Sequence, residues 1–301
     1  MAGSKSGNDA DLRDRVVSVR QVRNPAMVES RASLANISGA VVLAGAGKMG
    51  NALLTGWLAR GLDPKRLVVI EPYPSDDVRA LASRGIRLNP TEETGEAAAL
   101  VIAVKPQTFG DTGPALRPLL GRSTLVVSIM AGTTIAKLDM VCGGNIVRAM
   151  PNTPAAIGRG ITVAIAATSV NDKQHAMADA LLRATGAVEW IDDEALMDAV
   201  TAVSGSGPAY VFLLAEELAR AGVSAGLPAD LAAKLARETV AGSGELLHRS
   251  DLDAATLRRN VTSPGGTTAA ALDILMGEQG LKDLMARAVA AATKRSRELA
   301  K

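Results

Sequence analysis

Residues 40–61, AVVLAGAGKMGNALLTGWLARG, decide how the first half of the chain is read. The run AVVLA (40–44) is branched and apolar, as a buried strand is, and KMGNALLTGWLARG carries a helical pattern. Between them lies G-x-G-x-x-G, at Gly45, Gly47 and Gly50. In a strand–turn–helix of this kind the first glycine permits a tight turn and the second lets the backbone approach a pyrophosphate. The third lets helix and strand pack closely. The helix N-terminus adds unpaired N–H groups and positive dipole potential. Gly45, Gly47, Lys48, Met49 and Gly50 are therefore candidate dinucleotide-binding residues. Glycine-rich turns also occur with nothing bound, and Lys48 can either reach a phosphate or stay solvated.

Further strands are predicted at RLVVI (66–70), ALVIAV (99–104), TLVVSI (124–129), NIVRAM (145–150), ITVAIA (161–166) and AVEWI (187–191). They are rich in Val and Ile on both faces and alternate with helical segments. The pattern predicts an α/β fold over 39–193, a doubly wound and mainly parallel sheet. Glu71 closes the second strand, where an acid would hydrogen-bond the adenine ribose and repel the extra phosphate of NADP. No arginine in EPYPSDD (71–77) reverses that preference, although Glu71 also reads as a plain solvated strand end. Ligands of such sheets bind beyond the carboxyl ends of the strands. Val104, Lys105 and Pro106, then Met130 and Ala131, then Asn152 share that address. Each of their segments, taken alone, is an ordinary turn.

After residue 193 the strands stop and an all-α domain over 194–301 is expected. AYVFLLAEELARAG places Val211, Leu214, Ala215, Leu218 and Ala221 on one helical face, and LKDLMARAVAAATKRSREL does the same with Leu281, Leu284, Met285, Ala288 and Ala292. A helical domain this small suggests that part of its apolar surface is buried against another subunit; a compact monomeric bundle is the alternative. Residues 1–38 read as a polar, flexible extension.

Composition removes other classes. Thirty-three Lys+Arg against thirty-one Asp+Glu, with two each of Trp, Tyr and Phe, leave neither an electrostatic footprint nor a stacking platform for nucleic acid. No apolar run has the length of a membrane span, and no signal-peptide core is present. The acids Asp9, Asp11, Asp14 and Glu29 argue against a transit peptide. The single cysteine, Cys142, suits a reducing cytosol, so a cytoplasmic location is expected. No metal site is expected.

Two knots of small residues interrupt the helical half: AVSGSGPAYVF (202–212) and NVTSPGGTTAAAL (260–272). In the second, Ser263-Pro264-Gly265-Gly266 leads into a helix with Thr267 and Thr268 in its first turn and Ala269, Leu272, Leu275 and Met276 on its apolar face. Such a start is a ready anion site. The helix dipole supplies about 0.3–1 kcal/mol, and charge-assisted hydrogen bonds about 1.5–3 kcal/mol each, so converging donors would dominate. A capped helix–helix turn explains the same residues equally well.

One absence guides the chemistry. A dehydrogenase acting on an alcohol or ketone needs a group to handle the oxygen's proton. The two histidines, His175 and His248, fall in helical patterns away from every loop named above and read as surface residues. A protonated imine is already a cation and needs no such base. Rival readings are another imine or β-hydroxyacid dehydrogenase with a helical second domain, and a non-catalytic NAD(P)-binding protein. A β-hydroxyacid dehydrogenase needs a lysine or histidine that SGSGPAYVFLLAEELARAG does not offer, and a non-catalytic binder has no use for the Ser263–Thr268 knot.

The motifs GAGKMG, AVKPQ, MPNTP, SGSGPAYVF and VTSPGGTTAAAL, in this order, resemble pyrroline-5-carboxylate reductases over about residues 40–300. The resemblance implies a Rossmann domain followed by a helical dimerisation domain, as a homodimer or a decameric ring of dimers. It implies reduction of 1-pyrroline-5-carboxylate to L-proline with NAD(P)H, the last step of proline biosynthesis. Carried over, Gly45–Gly50 would hold the pyrophosphate. Lys105, Pro106, Ala131 and Asn152, with Val104 and Met130, would line the ribose and nicotinamide, and Asn260 would lie near the carboxamide. Ser263, Gly265, Gly266, Thr267 and Thr268 would bind the substrate carboxylate, with the Thr268 hydroxyl on the ring nitrogen. Two departures stand out. Lys48 replaces a frequent asparagine, and Glu71-Pro72 stands where NADP-preferring members carry hydroxyl, amide or basic residues. NADH is therefore expected to serve at least as well as NADPH.

Overall fold

A computed structural model describes residues 34–92 and 94–299. The extension expected over 1–38 lies outside the described residues as far as position 33. Its last residues do not behave as a free tail: Leu34 is fully buried, its N–H bonds to the Arg60 carbonyl, and the Ile37 carbonyl accepts from Arg66.

The strands are β1 (Val41–Ala44), β2 (Leu67–Ile70), β3 (Arg87–Leu88), β4 (Ala99–Ile102), β5 (Leu125–Ser128), β6 (Asn145–Met150), β7 (Gly160–Ala166) and β8 (Gly186–Trp190). They form one sheet in the order β3-β2-β1-β4-β5-β6-β7-β8, parallel except where β6 meets β7. The helices are α1 (Lys48–Ala59), α2 (Asp76–Ala82), α3 (Phe109–Leu116), α4 (Ile135–Val141), α5 (Asp172–Leu182), α6 (Met197–Val200), α7 (Gly207–Ser224), α8 (Ala229–Arg249), α9 (Ala254–Asn260), α10 (Thr267–Leu275) and α11 (Leu281–Leu299). This is the doubly wound sheet expected from the sequence, followed by helices.

The strands lack polar alternation because both faces are covered. Val41, Leu43, Val69, Val101 and Val127 pack with Leu53, Leu54 and Trp57 of α1 and with Leu181 and Leu182 of α5. Their neighbours Val42, Val68, Leu100, Ile102 and Val126 pack with Phe109 and Leu116 of α3 and Leu138 of α4. Side chains of successive strand residues point to opposite faces, so a run with no polar member needs a layer on each side. Trp57 anchors the first layer, its indole N–H donating to the Leu181 carbonyl at 2.9 Å. Strand β3 was not foreseen: two half-buried residues carry no periodicity to read.

The chain separates into two compact units. The described part of one comprises 34–210 and 286–299, and that of the other is Val211–Met285, so α7 and α11 each run through a boundary. In the first, the carboxyl half of α11 is fastened by Ser296 Oγ donating to Asp198 at 2.6 Å. In the second, α7 and α8 approach through small residues, a Cβ on Gly222 falling 3.2 Å from that of Ala232. Its apolar side chains are largely exposed: Phe212 at 67%, Leu214 at 55% and Ile274 at 78%. Among its described apolar residues only Ala232 and Ala236 are buried.

Candidate active site

The three glycines after β1 differ in what enforces them. Gly45 has φ +93°, and a Cβ there would lie 2.7 Å from the Ala103 carbonyl group. A Cβ on Gly50 would overlap the Gly45 carbonyl oxygen, which is the close helix–strand packing expected of it. Around Gly47, by contrast, no atom of the described residues other than its own chain neighbours lies within 4 Å of where a Cβ would be. The protein's own packing thus demands Gly45 and Gly50, while Gly47 faces open space of the kind a pyrophosphate requires. Helix α1 starts directly after Gly47 with no side-chain cap, whereas α2, α4, α5 and α9 are capped by Ser75, Thr134, Asn171 and Asp253. Lys48 is exposed and Met49 half-buried.

Glu71 follows β2 and is not a plain solvated strand end. One carboxylate oxygen accepts the Ala46 N–H of the glycine loop at 2.8 Å, and the other accepts the Tyr73 N–H at 3.0 Å. Each oxygen keeps acceptor capacity for a hydroxyl. Val104, Lys105 and Pro106 follow β4 at the strand end beside the glycine loop: Ala103 N–H donates to Ala44 at 2.7 Å, and the Val104 nitrogen lies 2.8 Å from a Gly45 Cβ. Lys105 is exposed, its carbonyl accepting from the Thr108 N–H and hydroxyl. Met130 is buried and Ala131 exposed after β5. Asn152 after β6 is half-buried, with its side-chain oxygen bonded to Ile161 N–H at 3.0 Å.

In the helical unit, Ser263–Gly266 forms a tight turn in which Gly266 N–H donates to the Ser263 carbonyl at 3.1 Å. Proline at the second position and Gly265 at φ +69° at the third fit a type II turn. Any side chain on Gly266 would strike Ser263 Oγ, 2.5 Å from its Cβ position. Helix α10 then begins at Thr267 without a side-chain cap, and Thr268 sits half-buried in its first turn. Asn260, at the end of α9, is exposed.

Other polar groups were not singled out from sequence. Arg148 of β6 is buried and pairs at 2.7 Å with Glu194, the same carboxylate oxygen also accepting Ile135 N–H at 2.9 Å. Ser204 lies in a π-helical turn, Thr201–Gly205, and its buried hydroxyl has no hydrogen-bond partner among the described residues. The SGSG knot was the only sequence signal for it. His175, expected at the surface, is half-buried, and its ring packs against Trp190 with centroids 3.8 Å apart. His248 is exposed on α8. The Cys142 thiol is buried, which raises its pKa to about 11 and makes it a poor nucleophile. Among the described residues no cluster of His, Cys, Asp and Glu could hold a metal, and no helix is long and apolar enough to cross a membrane.

Residues 194–299 match the family model for pyrroline-5-carboxylate reductase dimerisation, and residues 40–132 match that for NADP oxidoreductase coenzyme F420-dependent. The chain is 39% identical to pyrroline-5-carboxylate reductase of Pseudomonas aeruginosa, covering 86% of this chain and 96% of that one. It is 41% identical to that of Mycobacterium leprae, over 86% and 96% respectively. The chain belongs to the pyrroline-5-carboxylate reductase family. Among solved structures, the Coxiella burnetii reductase aligns with a TM-score of 0.80 at 32% identity, over 88% of this chain and all of that one. A Plasmodium falciparum pyrroline carboxylate reductase with NADP bound aligns with a TM-score of 0.75 at 32% identity, over 88% and 99%. The chain is thus an NAD(P)-dependent oxidoreductase that reduces 1-pyrroline-5-carboxylate to L-proline in proline biosynthesis, and it carries the dimerisation region of a homodimer.

Proposed function

We propose that the Gly45–Gly50 loop holds the dinucleotide pyrophosphate and that the Ser263–Thr268 loop holds the substrate carboxylate. The open space at Gly47, between two glycines that packing enforces, carries this reading. NAD(P)H bound there supplies a hydride. Lys105, Pro106, Ala131 and Asn152, with Val104 and Met130, line its ribose and nicotinamide, Lys48 and Met49 flank the phosphates, and Asn260 serves the carboxamide. Backbone N–H groups at the start of α10 and the Ser263 hydroxyl orient the carboxylate, and several such charge-assisted bonds outweigh the helix dipole. The Thr268 hydroxyl bonds the ring nitrogen and positions the imine. A threonine hydroxyl is too weak an acid to be the proton donor, so the proton comes from solvent. By function the dinucleotide-binding region is 39–193 and the dimerisation and substrate-binding region 194–301, although 194–210 and 286–299 belong to the same compact unit as the sheet. The location is cytoplasmic, and the assembly is a homodimer or a decameric ring of dimers.

Glu71 decides the dinucleotide. Its carboxylate, fixed by two backbone N–H groups, offers acceptors to the adenine ribose hydroxyls and repels a 2′-phosphate. NADH serves at least as well as NADPH. Paired steady-state assays with 1-pyrroline-5-carboxylate test this directly: kcat/KM for NADH equals or exceeds that for NADPH, and a large advantage for NADPH contradicts it. The catalysed reverse, proline-dependent reduction of NAD+ at alkaline pH, excludes a non-catalytic dinucleotide-binding protein.

A further inference from the structure

Among the described residues, Asn89 alone of the non-glycine residues has a positive φ, +45°. Asparagine tolerates this left-handed conformation better than most residues, but it is still sparsely populated and persists only where the surroundings hold it. Three hydrogen bonds hold it here. Its N–H donates to the Val69 carbonyl at 2.8 Å, continuing the β2–β3 ladder past Leu88. Its side-chain oxygen accepts the Glu71 N–H at 2.8 Å, and its side-chain nitrogen donates to the Glu71 carbonyl at 2.8 Å. One amide therefore satisfies both backbone groups of Glu71 just where β2 ends and the ladder can no longer do so. Only a primary amide presents an acceptor and a donor side by side in this way. The residue so clamped is the one whose carboxylate reaches Ala46 in the glycine loop.

We propose that Asn89 is a positioning residue for dinucleotide choice, clamping the Glu71 backbone so that its carboxylate meets the adenine ribose and excludes a 2′-phosphate. This rests on the reading of Glu71 given above. Asn89 needs no contact with the dinucleotide; it fixes the backbone from which Glu71 projects, and a small misplacement of a polar partner weakens a hydrogen bond steeply. The left-handed backbone is what turns the amide back onto Glu71, eighteen residues earlier in sequence.

Asn89→Gly tests the clamp cleanly, because glycine adopts the same φ without strain and removes only the amide. The ratio of kcat/KM for NADH to that for NADPH falls about threefold to tenfold, the range expected when one or two hydrogen bonds are lost, through a raised KM for NADH rather than a lowered kcat. Asn89→Asp, which keeps the acceptor and loses the donor, falls between wild type and Asn89→Gly. Glu71→Gln, measured alongside, separates the two claims. If Glu71→Gln shifts the ratio and Asn89→Gly does not, the clamp is wrong and the Glu71 reading stands. If Glu71→Gln leaves the ratio unchanged, both are wrong. Equal losses with the two dinucleotides in Asn89→Gly, accompanied by a lowered Tm, make Asn89 a structural residue only and overturn the proposal.

Discussion

The sheet unit and the helical unit solve the burial problem differently. In the first, Val41, Leu43, Trp57, Leu100 and Leu125 are completely or almost completely shielded from water by helices of the same chain. In the second, Val211, Phe212, Leu213, Leu214 and Leu218 of α7 stay between 43% and 67% exposed, although they are as apolar as the strands. A folded protein rarely keeps so continuous an apolar face bare, and we infer that a second copy covers it, since residues 194–299 match the dimerisation model. The lesson is that one unit finds its core within its own fold, while the other is written for a second copy.

The largest effect is expected on α7. Replacing Leu214 and Leu218 with arginine puts unpaired charge into the covered face of each copy. Burying a leucine contributes about 1.5–3 kcal/mol, so two per copy raise the dimer Kd by more than about a thousandfold. Light scattering after size exclusion reads this as monomer or aggregate with activity lost; an intact dimer with unchanged turnover means that this face is not the interface. Trp57→Ala is the matching lesion in the sheet unit, removing a buried ring and its bond to Leu181. It costs about 3–5 kcal/mol of stability in denaturant titration, while the protein that stays folded still pairs. Loss of pairing in the folded fraction would erase the distinction between the units.

A smaller effect sharpens the picture of the self-contained core. Burial lifts the Cys142 pKa from 9.0 to about 11, so native protein at pH 8 holds roughly a hundredth of the thiolate that an unfolded chain would. Ellman's reagent reacts correspondingly slowly until denaturant is added; rapid native reaction would place the thiol outside the core. The sign for stability follows from the same shift. Above about pH 9 the unfolded thiol ionises while the folded one keeps its proton, so this contribution is lost as pH rises toward about 11.

What the sequence made legible was local or periodic. The glycine loop could be read because strand, turn and helix are contiguous, and the buried strands because two-sided burial leaves unbroken runs such as ALVI. The Ser263 turn was legible as a helix start for the same reason, with proline and glycine in adjacent places. Strand β3 was not, because two residues carry no pattern. Asn89 was hidden inside an Asn-Pro turn signal, and its partner is defined only once β2 and β3 pair. The Arg148–Glu194 pair, forty-six positions apart, depends on the fold in the same way. The face of α7 showed in the helical period, but period alone did not distinguish a bundle core from a subunit interface.

The proposed site assigns dinucleotide and imine to separate loops, Gly45–Gly50 and Ser263–Thr268. Thr268→Ala in the full chain tests it most directly, with turnover and NADH binding measured on the same preparation. Loss of a hydrogen bond that orients the reacting imine lowers kcat/KM for 1-pyrroline-5-carboxylate by about a hundredfold, while fluorescence titration gives an NADH Kd within about twofold of wild type. Weakened NADH binding with unchanged turnover would contradict the account.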